Sequence, residues 1–155
     1  MKRSSFAPHE FEKKTRSMKI RIIIYWVTTV LIALETLAGG VTDLAHGRTS
    51  VVSGPFVVDV ITHLGYPVYL LTILGVWKLA GGVTLLVPGF PRLKEWAYAG
   101  IFFELTGAAA SFVARGEITG DLIAPLVLTG LAVASWALRP QSRTLGVLFP
   151  ANKPA

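Results

Sequence analysis

The stretch YPVYLLTILGVWKLAGGVTLLV, residues 66–87, decides the fold, because Lys78 is the single charged residue in it. A helix that crosses a membrane needs roughly 20 mostly apolar residues, and this stretch meets that length. Its apolar residues are continuous and do not alternate, which argues against a strand of a membrane barrel. The breaker PGFP at residues 88–91 follows directly. The stretch therefore predicts a membrane-spanning helix.

Three more stretches have the same length and character: residues 20–44, 96–114 and 122–138. Charged residues make up 15% of the chain, whereas soluble domains contain about a quarter. We predict an all-α integral membrane four-helix bundle formed by residues 20–140. A basic arm, residues 1–19, precedes it, and a tail, residues 141–155, follows it.

The lysines and arginines predict the orientation of the bundle. Twelve of the fifteen lie in the arm and the start of the first span, in the second loop, or from Arg139 to the end of the tail, whereas the opposite loops hold Arg48 and Arg115. Basic loops stay on the cytoplasmic side of a membrane, so we predict cytoplasmic termini in a plasma or bacterial inner membrane. A basic arm beside a span is typical of contact with anionic lipid. We therefore predict the lipid bilayer, and not a nucleic acid, as its partner.

The first outer loop contains a short helical pattern and two histidines. Apolar residues at 56, 57, 60, 61 and 64 give one apolar face, which predicts a short surface helix. We assign His46 and His63 to this loop, near Asp43 and Asp59. Their spacing matches no standard metal site, and we predict solvated histidines and no bound metal.

The hexapeptide LAGGVT occurs twice, at residues 37–42 and 79–84. Small residues allow close approach of helix backbones in lipid, where packing drives association. We interpret both copies as helix contact faces.

Three charged residues, Glu35, Lys78 and Glu104, lie inside predicted spans. A charge at the middle of a bilayer costs about 2.5–3.5 kcal/mol, so such residues normally face the interior and pair. At about 1.5 Å per residue, all three lie roughly 15–21 Å from the basic ends of their helices. We therefore predict one polar layer in which they meet.

This layer supports two interpretations. One lysine between two carboxyls leaves one carboxyl to keep its proton, because burial disfavours an unpaired negative charge. Glu35 and Glu104 are then candidate catalytic groups, and Glu35, Lys78 and Glu104 are candidate ligand-binding groups. Trp26 and Trp77 are added because their rings suit a ring-shaped ligand. Alternatively, the layer is an ion pair that only fixes helix register.

Several stretches resemble the DoxX-like family of small four-helix membrane proteins. They are residues 24–29, 63–70, 78–82 and 85–100, and the resemblance covers roughly residues 20–140. It places Lys78 on the lysine of the family's second-span pattern, whereas many relatives have an apolar or small residue in place of Glu35. No family catalytic residue is carried over.

The resemblance implies a redox association, because the wider DoxX group includes a membrane subunit of a thiosulfate:quinone oxidoreductase. Quinone is then the candidate ligand. No cofactor is identifiable, and since the chain has no cysteine, electrons would come from a partner subunit. The alternatives are a binding or transport bundle for a lipid, amphiphile or cation, an isomerase or cyclase with a buried acid, and a purely structural membrane subunit. Whether the protein is an enzyme or a homo-oligomer stays open.

Overall fold

The computed structural model describes residues 8–46, 57–118 and 120–144. In these ranges the chain forms five α-helices and no strand. The helices are α1 (Pro8–Leu44), α2 (Val57–His63), α3 (Tyr69–Leu86), α4 (Pro91–Ala114) and α5 (Ile123–Ala137). Short 3₁₀ turns cover Gly120–Leu122 and Gln141–Arg143.

Four of these helices, α1, α3, α4 and α5 with its preceding turn, are long and apolar enough to cross a membrane. This confirms the predicted four-span, all-α fold. The predicted surface helix is α2, although Phe56 lies outside the described residues. Since α1 begins at Pro8, residues 8–19 of the predicted arm are helical and continuous with the first span. The cytoplasmic orientation of the termini stays a prediction.

The four long helices form a closed ring in which α1 packs on α3 and α5, and α4 also packs on α3 and α5. We name the two ends of this bundle. The basic end holds the start of α1, the α3–α4 loop and the end of α5. The α2 end holds the end of α1, α2 and the α4–α5 loop. The core is formed by residues from all four helices: Ile32, Ala33, Leu85, Tyr98, Ile101, Leu105 and Ala132.

The closest helix pair is α1 and α3, which approach through glycines. A Cβ atom added at Gly82 would lie 2.7 Å from Leu37 Cγ, and one at Gly75 would lie 2.8 Å from Leu44 Cγ. Both distances are shorter than side chains tolerate, so the backbones can be this close only because glycine occupies these positions. Gly82 belongs to the second LAGGVT copy, which supports its interpretation as a contact face.

Three hydroxyls join α1, α4 and α5 in the core. Ser135 Oγ lies 2.6 Å from Thr29 Oγ1 and 2.7 Å from Tyr98 OH. Each group is buried and hydrogen-bonded, as a polar side chain away from water must be. These contacts fix the rotation of α4, which in turn sets the direction in which Glu104 points.

The basic end is closed by cations that bind backbone carbonyls at the end of α3. Lys94 Nζ donates to Thr84 O at 2.5 Å and to Val87 O. Arg143 donates to Leu85 O at 3.0 Å. The last carbonyls of a helix have no partner within the helix, so these side chains replace water there.

Candidate functional site

The predicted polar layer is centred on Lys78 of α3. Its Nζ lies 2.8 Å from Asp43 Oδ2 and 2.9 Å from Glu104 Oε1. Asp43 is on α1 and Glu104 is on α4, so one ammonium group connects three helices. Charge-assisted bonds of this length are the strong class of hydrogen bonds. The cluster therefore holds the α2 half of the bundle together as well as forming a polar site.

Glu35 lies on the same side of α1 as Asp43, two turns nearer the basic end. Gly39 lies between them, and a Cβ atom added there would be 3.5 Å from Lys78 Nζ and 3.7 Å from Glu35 Oε1. These are ordinary contact distances, so the ammonium group lies directly against α1 at Gly39. Among the described residues, Glu35 makes no ion pair within 4.0 Å. It contributes charge near Lys78 without a direct salt bridge.

Asp43 is a further member of the polar layer, which the sequence analysis did not include. Asp43 lies in the last turn of α1 and is 3% exposed, and its carboxylate is a direct partner of Lys78. A signal for this was present in the sequence. Glu35, Gly39 and Asp43 are spaced four residues apart, which keeps them on one side of a helix.

The cluster contains more negative than positive groups. One ammonium faces Asp43 and Glu104 directly and Glu35 nearby. With all four groups ionised, the formal charge is therefore −2. Like charges 4 Å apart repel by about 4 kcal/mol at an effective dielectric constant near 20. The site can accept a proton or the positive end of a ligand, in addition to donating hydrogen bonds from Lys78.

A cavity of about 450 Å³ lies between α3 and α4 on the basic-end side of the cluster. We call it the lateral cavity. Lys78 and Glu104 line it, together with Trp77 and Trp96, which are 71% and 78% exposed on the outer surface of the bundle. In a membrane, this outer surface faces lipid. The cavity thus connects the charged pair with the lipid-facing gap between two helices.

A second cavity of about 330 Å³ lies on the other side of the same pair. We call it the α2-side cavity, because Val60 and Ile61 of α2 line it. Asp43, Lys78 and Glu104 line its inner part. The charged pair Lys78–Glu104 therefore forms a wall common to both cavities, whereas Asp43 lines only the α2-side cavity.

Glycines keep both cavities open. Gly81 and Gly100 line the lateral cavity, and Gly107 lines the α2-side cavity. A Cβ atom added at any of these three positions would meet nothing within 4 Å. The same holds for Gly130 on α5, which lines neither cavity. Gly130 therefore provides a matched control for variants that fill the cavities.

The remaining predicted site residues lie elsewhere. Trp26 stacks on Arg143 at 4.5 Å near the basic end and lines neither cavity. His46 Nε2 lies 3.2 Å from Thr72 Oγ1, and His63 Nε2 lies 2.5 Å from Glu117 Oε1. Within residues 8–46, 57–118 and 120–144, no three His, Asp or Glu side chains form a group that could hold a metal ion.

These features define a class, namely small integral membrane proteins with an ion-paired site inside a helical bundle. The model of the DoxX-like family matches residues 27–135, and the chain belongs to this family. The matched range contains all four members of the charged cluster. No curated protein and no solved structure matches the chain.

Proposed function

We propose that this protein binds a lipid-soluble quinone in the lateral cavity. The observation that carries the proposal is the lining of that cavity, which combines Lys78 and Glu104 with the rings of Trp77 and Trp96. A quinone needs such a combination, because it has a flat ring and carbonyl oxygens that only accept hydrogen bonds. Its isoprenoid tail needs a path to lipid, and the gap between α3 and α4 supplies one.

Each group has a defined role in this proposal. Lys78 Nζ donates a hydrogen bond to one carbonyl oxygen of the quinone. Glu104 takes up a proton from water and passes it to this oxygen on reduction, as a positioned general acid does. Trp77 and Trp96 pack against the ring. The cavity, at about 450 Å³, lies within the roughly 300–1,000 Å³ typical of small-molecule sites.

Reduction in this site needs two electrons and two protons. They convert the two carbonyl groups of the quinone to the two hydroxyl groups of a quinol. The chain has no cysteine, so in this proposal the electrons come from a reduced partner subunit. The charged cluster supplies the first proton and, after it takes up another proton from water, the second.

A competing ligand is a simple amphiphile, such as a fatty alcohol, whose head binds Lys78 and whose chain fills the cavity. It would use the same residues without needing the tryptophan rings. The two ligand classes are therefore compared directly in the test.

The test is a titration of the purified protein in detergent with decylubiquinone, followed by tryptophan fluorescence and melting temperature. Because Trp77 and Trp96 line the cavity, we expect saturable quenching and a higher melting temperature. The Gly100→Leu variant, which fills the cavity, should lose both effects, and Gly130→Leu should keep them.

The proposal fails if decylubiquinone gives no saturable quenching, or if Gly100→Leu and Gly130→Leu respond equally. Decanol serves as the amphiphile probe. If it raises the melting temperature as much as decylubiquinone at equal concentration, the cavity is an amphiphile site and not a quinone site.

A further inference from the structure

We infer that water and protons reach the Lys78–Glu104 pair from the α2 end, through the α2-side cavity, by a route separate from the lateral cavity. The route stands on geometry alone. Its use as the proton supply for a bound quinone rests on the proposed function.

The wall formed by α4 shows the direction of the route. Glu104, Gly107, Ala108 and Ser111 all line the α2-side cavity. Their spacing of three and four residues places them on one face of α4. At about 1.5 Å per residue, this face extends roughly 10 Å from the charged pair towards the α2 end. It carries small or polar side chains between Phe103 and Phe112, which also line the cavity, so it leaves space that water can occupy.

Polar groups are present along the route. Asp43, Lys78 and Glu104 lie at its inner part, and Ser111 and Tyr66 lie nearer the α2 end, with their hydroxyl oxygens 2.8 Å apart. An internal water needs about two to four polar partners, and a cavity without them stays dry. The α2-side cavity provides polar partners at both ends, and the lining between them is apolar, with Leu70, Leu71 and Phe112 among it.

The lateral cavity differs in where it opens. Beyond Lys78 and Glu104, its lining contributes one hydroxyl, that of Thr84, which donates to Ala80 O at 2.7 Å, as Ser111 Oγ does to Gly107 O in the α2-side cavity. The rest of its lining consists of glycine, alanine, leucine, isoleucine and tryptophan. This cavity opens at the lipid-facing surface beside Trp77 and Trp96, so the phase next to it holds apolar ligands and not water. The two cavities therefore bring different species to the same ion pair.

The α2 helix lies over the outer part of the route. None of its residues is buried, and it is held to the end of α4 by polar contacts. His63 Nε2 lies 2.5 Å from Glu117 Oε1, and Arg115 donates to the carbonyl of His63. The route thus passes beneath an exposed helix whose own outer side meets the aqueous phase.

The absence of cysteine in the chain allows a direct test with single-cysteine variants. Gly107→Cys places a thiol in the α2-side cavity, Gly100→Cys places one in the lateral cavity, and Gly130→Cys serves as the control. None of the added Cβ atoms meets another atom within 4 Å. Each full-length variant is reconstituted in phospholipid vesicles and treated with the water-soluble reagent methanethiosulfonate-ethyltrimethylammonium.

The thiolate is the reacting form of cysteine, and apolar surroundings suppress it. We therefore expect Gly107→Cys to react at least about tenfold faster than Gly100→Cys and Gly130→Cys. Ser111→Cys, on the same face of α4, should also react fast, and it replaces Gly107→Cys if that variant does not fold.

The route is refuted if Gly107→Cys and Ser111→Cys react as slowly as Gly130→Cys, or if Gly100→Cys reacts as fast as they do. No quinone is needed for these measurements. Fast labelling without quinone binding would refute the proposed function and leave the route standing. Quinone binding with slow labelling would refute the route alone.

Discussion

The lateral cavity and the α2-side cavity meet at one ion pair but are built for different contents. Trp77 and Trp96 line the first, which reaches the lipid-facing surface between α3 and α4. Asp43 and two hydroxyl groups line the second, beneath α2. The difference shows how a small bundle can present one charged pair to lipid on one side and to water on the other. Because the two cavities have different linings, a substitution can change one cavity without changing the other.

The largest expected effect follows from removing the ion pair that both cavities share. Lys78→Met leaves the carboxylates of Asp43 and Glu104 buried without their cation. Breaking a buried pair in this way costs about 3–5 kcal/mol. We expect a loss of that size in the free energy of unfolding, measured by denaturant titration in detergent micelles, together with loss of quinone binding.

The control for this prediction is the triple variant Lys78→Met, Asp43→Asn, Glu104→Gln. It removes the uncompensated charges as well, and should regain most of the lost stability, because uncharged groups avoid the penalty of burying a lone charge. Wild-type stability in Lys78→Met would mean that the cluster is hydrated from both sides, and the contrast between the two cavities would be lost.

The spanning helices and two members of the charged cluster could be predicted from the sequence, because they depend on hydrophobicity and charge. Residues 66–87 predict α3, and the rarity of charge in a span singles out Lys78 and Glu104. The role of Asp43 was missed because it depends on where α1 ends and how it is rotated. The cavities depend on packing: Gly82 lies against Leu37, whereas a Cβ atom at the adjacent Gly81 would meet nothing within 4 Å. Two neighbouring glycines have the same sequence character and opposite structural roles.

The next largest effect distinguishes the two carboxylates that bind Lys78. Glu104 lines both cavities and Asp43 lines only one. Glu104→Gln removes the carboxylate that holds Lys78 Nζ at the wall of the lateral cavity, so quinone binding should weaken about tenfold, which corresponds to one hydrogen bond that involves a charged group. Asp43→Asn should leave quinone affinity nearly unchanged. Fluorescence titration of both variants with decylubiquinone measures this, and an equal or reversed order would show that the ligand does not occupy the lateral cavity.

A smaller effect is expected at the outer part of the α2-side cavity. Glu117→Gln removes the exposed ion pair to His63 that holds α2. Such pairs contribute about 0–1 kcal/mol, so α2 should open at most about fivefold more often. Labelling of Gly107→Cys should speed up by up to that factor, and labelling of Gly100→Cys should not change. Glu12→Gln, an exposed change near the start of α1, is the control; equal acceleration by both would exclude a specific role for the α2 contact.

The smallest effect is expected for Glu35, although sequence reasoning ranked it with Lys78 and Glu104. It makes no ion pair within 4.0 Å among the described residues, and it lines neither cavity. Glu35→Gln should therefore leave quinone affinity and Gly107→Cys labelling unchanged. Fluorescence titration with decylubiquinone and the labelling assay check this. A loss of quinone affinity comparable to that of Glu104→Gln would mean that the site extends along α1 past Gly39, and that the charged cluster is one site instead of a wall between two.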